Sequence, residues 1–161
     1  MFWPGGVYMS ESSFTVLREI GSLPVSNGSE VRFSIDVYRN YRYVSIRRYV
    51  NMDGLWAPTR DGLTLTPEIV RVLAPKIGAL SDTPKEIANG PLGKFAKRPG
   101  ICVVVEVGSF RNERGVALRQ WEEAGGWTKK GIWLPLEKIK EIKALFKATH
   151  EAIDEQPEDD F

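Results

Sequence analysis

One motif occurs twice in this chain, and that repetition constrains the fold more than any other feature. Tyr38-Arg39-Asn40-Tyr41-Arg42-Tyr43-Val44-Ser45-Ile46-Arg47 aligns without a gap with Phe110-Arg111-Asn112-Glu113-Arg114-Gly115-Val116-Ala117-Leu118-Arg119, 72 residues later. Downstream, Gly62-Leu63-Thr64-Leu65-Thr66-Pro67-Glu68 is answered by Gly131-Ile132-Trp133-Leu134-Pro135-Leu136-Glu137 at an offset of 69, so only the intervening loop changes length. Self-similarity at a fixed spacing means two copies of one supersecondary unit. Each copy is shorter than about 70 residues, where a single core is marginal, so the copies are expected to pack together as an intramolecular pseudo-dimer.

The net charge of +1 conceals a strong asymmetry. Residues 31–77 carry 8 basic and 4 acidic side chains, residues 94–147 carry 12 and 6, and residues 148–161 carry 6 acidic and no Lys or Arg. Two basic segments before an acidic tail suggest a nucleic-acid partner. No apolar run approaches the roughly 18 residues that span a membrane, and residues 1–13 lack the pattern of a signal peptide. The single cysteine, Cys102, lies in the apolar run Ile101–Val107, which reads as a buried strand position and excludes a disulfide framework or metal knuckle. A reducing compartment is expected: the cytoplasm of a bacterial or phage-infected cell, or the nucleus of a eukaryote.

Glu30–Val37 alternates, with Val31, Phe33, Ile35 and Val37 on one face and Arg32, Ser34 and Asp36 on the other, as in a half-buried strand. A turn at Asn40 leads to a second strand, about Tyr41–Val50, with Val44 and Ile46 inward. A loop holding Asp53-Gly54 and Pro58 then precedes a short strand, Gly62–Leu65. Thr66 and Pro67 are suited to the N-cap and first position of a helix that buries Ile69, Val70, Val72, Leu73 and Ile77 and ends or kinks at Pro75. The second copy repeats this order with strands at Ile101–Val107, Arg114–Trp121 and Gly131–Leu134, then a helix over about Leu136–Ala152. A strand from Phe14 to Ile20 is expected to end at Gly21. Thr83–Gly90 reads as a short capped helix, followed by a basic lead-in from Lys94 to Arg98. The resulting division is an extension over 1–13, a first repeat over 14–77, a linker over 78–99, a second repeat over 100–153 and an acidic tail over 154–161.

The face that carries chemistry is the outward one of the second strand. Tyr41, Tyr43, Arg47 and Tyr49 share it, and in the second copy Arg119 and Trp121 do, with Trp133 outward on the next strand. Rings interleaved with arginine suit an unpaired nucleic acid, because bases stack on rings at about 1–3 kcal/mol each while cations follow the phosphates. The alternative is that these rings pack under another strand or in an interface. Arg42 and Arg114 fall in the same repeated run. Tyr38-Arg39 and Phe110-Arg111 stand at the turns, while Arg60, Lys129 and Lys130 stand before the repeated glycines. Trp56 and Trp127 precede those cations and suit either a core or a stacking platform. No catalytic set appears: His150 is the only histidine, and neither a glycine-rich phosphate loop nor metal-ligand spacing is present. A non-enzymatic chain without a cofactor is expected.

Ile46-Arg47-Arg48-Tyr49, followed by Trp56-Ala57-Pro58-Thr59-Arg60-Asp61-Gly62-Leu63-Thr64-Leu65-Thr66-Pro67-Glu68, resembles the transcriptional positive cofactor 4 family. Phe14-Thr15-Val16-Leu17-Arg18-Glu19-Ile20-Gly21 is similar to the opening strand of that family's bacterial members. The resemblance covers residues 14–77 well and 100–147 more loosely. It implies an α+β fold: two tandem units, each a curved antiparallel sheet with one helix, paired through the helices and binding single-stranded DNA across the sheets. It places binding roles on Arg47 and Arg119, on Tyr38-Arg39 and Phe110-Arg111, and on Arg60 and Lys129-Lys130. The sequence departs from the family where Arg60-Asp61 replaces a pair of cations, and where Val50 stands in place of a tryptophan.

The tail Asp154-Glu155-Gln156-Pro157-Glu158-Asp159-Asp160-Phe161 resembles the acidic tips of replicative single-stranded-DNA-binding proteins, which dock on partner enzymes. Glu158, Asp159, Asp160 and Phe161 are therefore expected to contact replication or transcription proteins, with a solubilising tail as the alternative. The sequence reading as a whole is a single-stranded-DNA-binding protein of replication or recombination. The alternatives are a transcription cofactor on melted DNA, or a module that binds RNA or protein; the paired units could also dimerise further.

Overall fold

The structure, a computed structural model, describes residues 15–155. The N-terminal extension, Phe14, and the tail residues Glu158, Asp159, Asp160 and Phe161 lie outside the described residues. The strands are β1 (Thr15–Ser26), β2 (Ser29–Tyr38), β3 (Tyr41–Met52), β4 (Leu55–Leu65), β5 (Gly90–Arg98), β6 (Ile101–Phe110), β7 (Glu113–Glu122) and β8 (Gly126–Pro135). Helix α1 (Pro67–Gly78) follows β4, and α2 (Ile139–Glu155) follows β8 after a 3-10 turn at Leu136–Lys138. The result is an α+β fold: one curled antiparallel sheet in the order β1-β2-β3-β4-β8-β7-β6-β5, with two helices.

The sequence dictates the hairpins directly. Arg39-Asn40 and Arg111-Asn112 all adopt positive φ, between 50° and 67°, which is the signature of the tight two-residue turn that matches strand twist. Asp53-Gly54 does the same at 55° and 89°, so what reads as a loop is a hairpin turn, and β4 begins at Leu55 rather than Gly62. Pro58 is tolerated because β4 pairs with β8 only at Gly62↔Gly131, which leaves its first half without a neighbour on that side.

Other expectations are corrected. β1 runs through Gly21 to Ser26 by means of bulges, and the basic lead-in is the edge strand β5. The register breaks of β1 at Glu19/Gly21 and Pro24/Ser26 recur in β5 at Pro91/Gly93 and Ala96/Arg98, each 72 residues on. Bulges of this kind increase local twist and curl an edge. Where a short capped helix is expected over Thr83–Gly90, the chain forms a 3-10 turn, Pro84–Glu86, without a side-chain cap. Thr66 does cap α1, accepting the Ile69 N–H at 3.2 Å, but α1 continues through Pro75 to Gly78, and Val72 is half exposed while Ala74 is buried.

One core lies between the sheet and the helices, built from the inward residues of β2, β3, β4, β6, β7 and β8. The helices cross over. α1 packs on β5 as well as β3, with Lys76 Nζ donating to the Leu92 carbonyl at 3.2 Å. α2 packs on β1 and β2, where Phe146 meets Phe33 edge to face at 5.4 Å. Each half of the sheet is thus covered in part by the helix of the other half.

Candidate nucleic-acid interface

Both helices occupy one face of the sheet, so the other face is the candidate site. Cross-strand partners share a face, and the register draws one continuous line over it. Ser22 pairs with Arg32, Arg32 with Arg47, and Arg47 with Gly62. Gly62 pairs with Gly131, Gly131 with Arg119, Arg119 with Val104, and Val104 with Lys94. Four cations therefore stand in a single row across all eight strands, about 33 Å long at the usual strand spacing. The two central glycines are required by packing: a Cβ on Gly62 would lie 2.7 Å from the Ile46 carbonyl oxygen, and one on Gly131 2.8 Å from that of Leu118.

Rings line this row. Arg32 lies over Tyr49 at 4.1 Å and near Trp56 at 5.6 Å, and Arg119 lies over Trp127 at 4.2 Å. Lys94 Nζ stands 5.4 Å from the Trp121 ring. At the hairpin ends, Arg39 covers Tyr38 and Arg111 covers Phe110, both at 5.1 Å, and Phe110 is 6.0 Å from Trp133. No described element covers these rings. Tyr41, Phe110 and Trp127 are 68%, 58% and 50% exposed, whereas Tyr43, Tyr49, Trp121 and Trp133 are half-buried among their neighbours.

A bulge presents the remaining cations. Between Arg47/Tyr49 and again between Arg119/Trp121, one residue faces three on the next strand. Thr59 donates to the Arg48 carbonyl at 2.8 Å and accepts the Asp61 N–H at 3.1 Å; Thr128 donates to the Gln120 carbonyl at 2.9 Å and accepts the Lys130 N–H at 3.1 Å. The same threonine bracket thus sets out Arg60-Asp61 in one half and Lys129-Lys130 in the other. The register places Pro58 opposite Tyr49 and Trp127 opposite Trp121, so Trp56 and Trp127 do not occupy matching positions.

Two residues of the expected set lie elsewhere. Arg42 pairs with Val37 on the helix-covered side and is half-buried. Arg114 fastens the linker, its Nε donating to Asn89 Oδ1 at 2.9 Å and its Nη atoms to the carbonyls of Pro84 and Ile87. Arg32, Lys94 and the two threonines were not singled out by sequence. Arg32 was legible, because the turn at 39–40 alone sets it opposite Arg47.

Burial raises the Asp36 carboxyl above its usual range against the opposing pull of Ser34 and Arg47, and burial likewise raises the Tyr49 hydroxyl. Lys97 lies in the bulge of β5, 72 residues after the apolar Val25 in the bulge of β1. Its Nζ donates to Thr64 Oγ1 at 2.7 Å and Gln120 Oε1 at 3.0 Å. Burial, with Arg98 and Lys130 nearby, lowers it from 10.5 to about 8. The folded state therefore holds this proton less tightly than the unfolded state. The associated stability is complete above about pH 10.5 and is lost as pH falls through about 8. Relative to Lys97→Met, the native chain is expected to gain stability in urea melts between pH 7 and 10; parallel curves would remove this assignment.

The arrangement defines a class: a β-sheet platform whose open face combines cations with rings and whose helices lie behind it. Residues 25–74, from the end of β1 into α1, match the family model of Transcriptional Coactivator p15 (PC4). No curated protein matches the chain. Among the described residues no helix is long and apolar enough to cross a membrane, and no cluster of metal-ligating side chains occurs.

Proposed function

We propose that the chain is a non-enzymatic protein that binds single-stranded DNA with little sequence preference. In this reading it is an intramolecular pseudo-dimer of two tandem PC4-like units. The observation that carries it is the row Arg32-Arg47-Gly62-Gly131-Arg119-Lys94, flanked by rings and crossing both halves of the sheet. Cations follow the phosphates, rings receive bases, and a glycine saddle lets a strand lie close to the backbone. Duplex recognition would instead place a helix or ribbon in the major groove, and both helices here lie on the opposite side of the sheet.

Its role is replication or recombination, with Glu158, Asp159, Asp160 and Phe161 recruiting partner enzymes. The name of the matched family favours a second reading, a transcription cofactor on melted DNA. Deleting residues 155–161 separates the two: loss of contact with replication enzymes supports the first, and altered transcription with normal replication supports the second.

Anisotropy of a labelled dT oligomer of about 25 nucleotides, titrated beside an equal duplex, tests the core claim. For about six phosphate contacts, log K should fall against log salt with a slope near −4, since each contact on a single strand contributes about 0.7. Strong preference for the single strand is expected. Equal binding of both, or none, would refute the reading, and competition with an RNA oligomer decides between the two nucleic acids.

A further inference from the structure

We infer that the two halves are unequal, with the second half (β5–β8) anchoring the strand and the first half (β1–β4) a weaker extension of the same track. This rests on the single-strand reading above and adds an order of loading to it. The argument compares matched positions, 72 apart in the strands and 69 apart beyond the bulge.

In the first half, Arg32 and Arg47 of the row and Arg48 of the bulge already have built-in competitors. Arg32 is bonded to Glu30 at 2.8 Å, and Arg47 donates to the Thr59 carbonyl at 2.8 Å. Asp61, where the second half has Lys130, is held by two hydrogen bonds from Arg48, at 2.9 and 2.7 Å. Arg48 itself stands where the second half has neutral Gln120. The open face with its bulge carries Arg32, Arg39, Arg47, Arg48 and Arg60 against Glu19, Glu30, Asp36 and Asp61. A phosphate arriving there must displace an internal partner and approach four carboxylates.

The second half differs at those same positions. Pro91, Cys102, Gly108 and Lys130 replace Glu19, Glu30, Asp36 and Asp61. Lys129 and Lys130 are exposed, and Arg119 is stacked on Trp127 at 4.2 Å. Glu106 and the hairpin residue Glu113 are the carboxylates on this side, against Lys94, Arg111, Arg119, Lys129 and Lys130. A shallow groove beside Trp121, walled by Lys94, Lys97, Arg98 and Cys102, adds a concavity in which a base can meet the ring with cations around it.

The test uses the full chain and a dT hexamer, too short to cover the whole row. Calorimetry is expected to give one tight site per molecule. Lys129→Ala with Lys130→Ala should weaken the hexamer by on the order of tenfold, and Arg32→Ala with Arg60→Ala by less than about threefold. Glu30→Gln with Asp61→Asn should bring a second hexamer into measurable range by releasing Arg32 and Arg48. Two equal sites in the native chain, or equal losses from the two alanine pairs, would overturn the inequality while leaving single-strand binding standing. Failure of oligomers of every length to bind would overturn both.

Discussion

Replacing Arg47 and Arg119 together by alanine is expected to weaken binding of a 25-nucleotide dT oligomer by one to two orders of magnitude at about 0.1 M salt, and to make the salt slope shallower by about 1.4. These two arginines flank the glycine saddle, three strand spacings or about 14 Å apart, so a strand crossing from one half to the other passes both. Arg119 is exposed, and Arg47 makes one hydrogen bond to a carbonyl that solvent can satisfy in its place. The double variant should therefore keep its fold, with urea stability within about 1 kcal/mol of native. A flattened slope together with weaker binding identifies lost phosphate contacts. Weaker binding with the native slope would instead point to lost stacking of Tyr49 and Trp127. Unchanged affinity would remove the row from the mechanism.

How the row came to be partly legible is a matter of turn geometry. A two-residue turn admits one register, so every residue of β2 has a fixed partner on β3, and the alternation of Val31, Phe33 and Ile35 tells which partners face out. That reasoning reaches Arg47 and, 72 residues later, Arg119. It stops at β1 and β5, whose bulges break the alternation that marks a strand, so that Gly21 and Lys94–Arg98 lose their signal. It also stops at β4, where Asp53-Gly54 and Pro58 carry the local chemistry of a loop while tertiary pairing holds the chain extended. Arg114 shows the opposite limit. It matches Arg42 in a repeated motif, yet the nearby linker carbonyls of Pro84 and Ile87 capture its guanidinium, a long-range contact that no local pattern encodes. Pro75 falls in the last turn of α1, which closes with the Ala79 and Leu80 N–H groups on the Pro75 and Ile77 carbonyls.

Cutting the chain between Leu80 and Ser81 is expected to leave neither fragment folded on its own. Residues 1–80 keep four strands and α1, but Phe33 then loses Phe146, and the inward faces of β1 and β2 lose α2. Residues 81–161 lose α1 from over β5, together with the Arg71–Asp154 ion pair between the helices. An exposed ion pair contributes little, so the decisive loss is apolar cover. Domains of about this size have only a few kcal/mol in hand, while a single buried Phe→Ala change costs about 3–5 kcal/mol. Losing a whole helix face exceeds that margin. Each fragment should lack a cooperative urea transition, and an equimolar mixture should recover one, along with the strand signal in far-UV circular dichroism. A fragment that melts cooperatively alone would show that the crossed helices are dispensable, and the two units would then be independent domains joined by a tether. The crossed arrangement has a functional consequence as well. If neither fragment folds alone, the row of cations is held at one fixed geometry across Gly62 and Gly131, and a strand binding there would meet both halves without ordering a hinge between them.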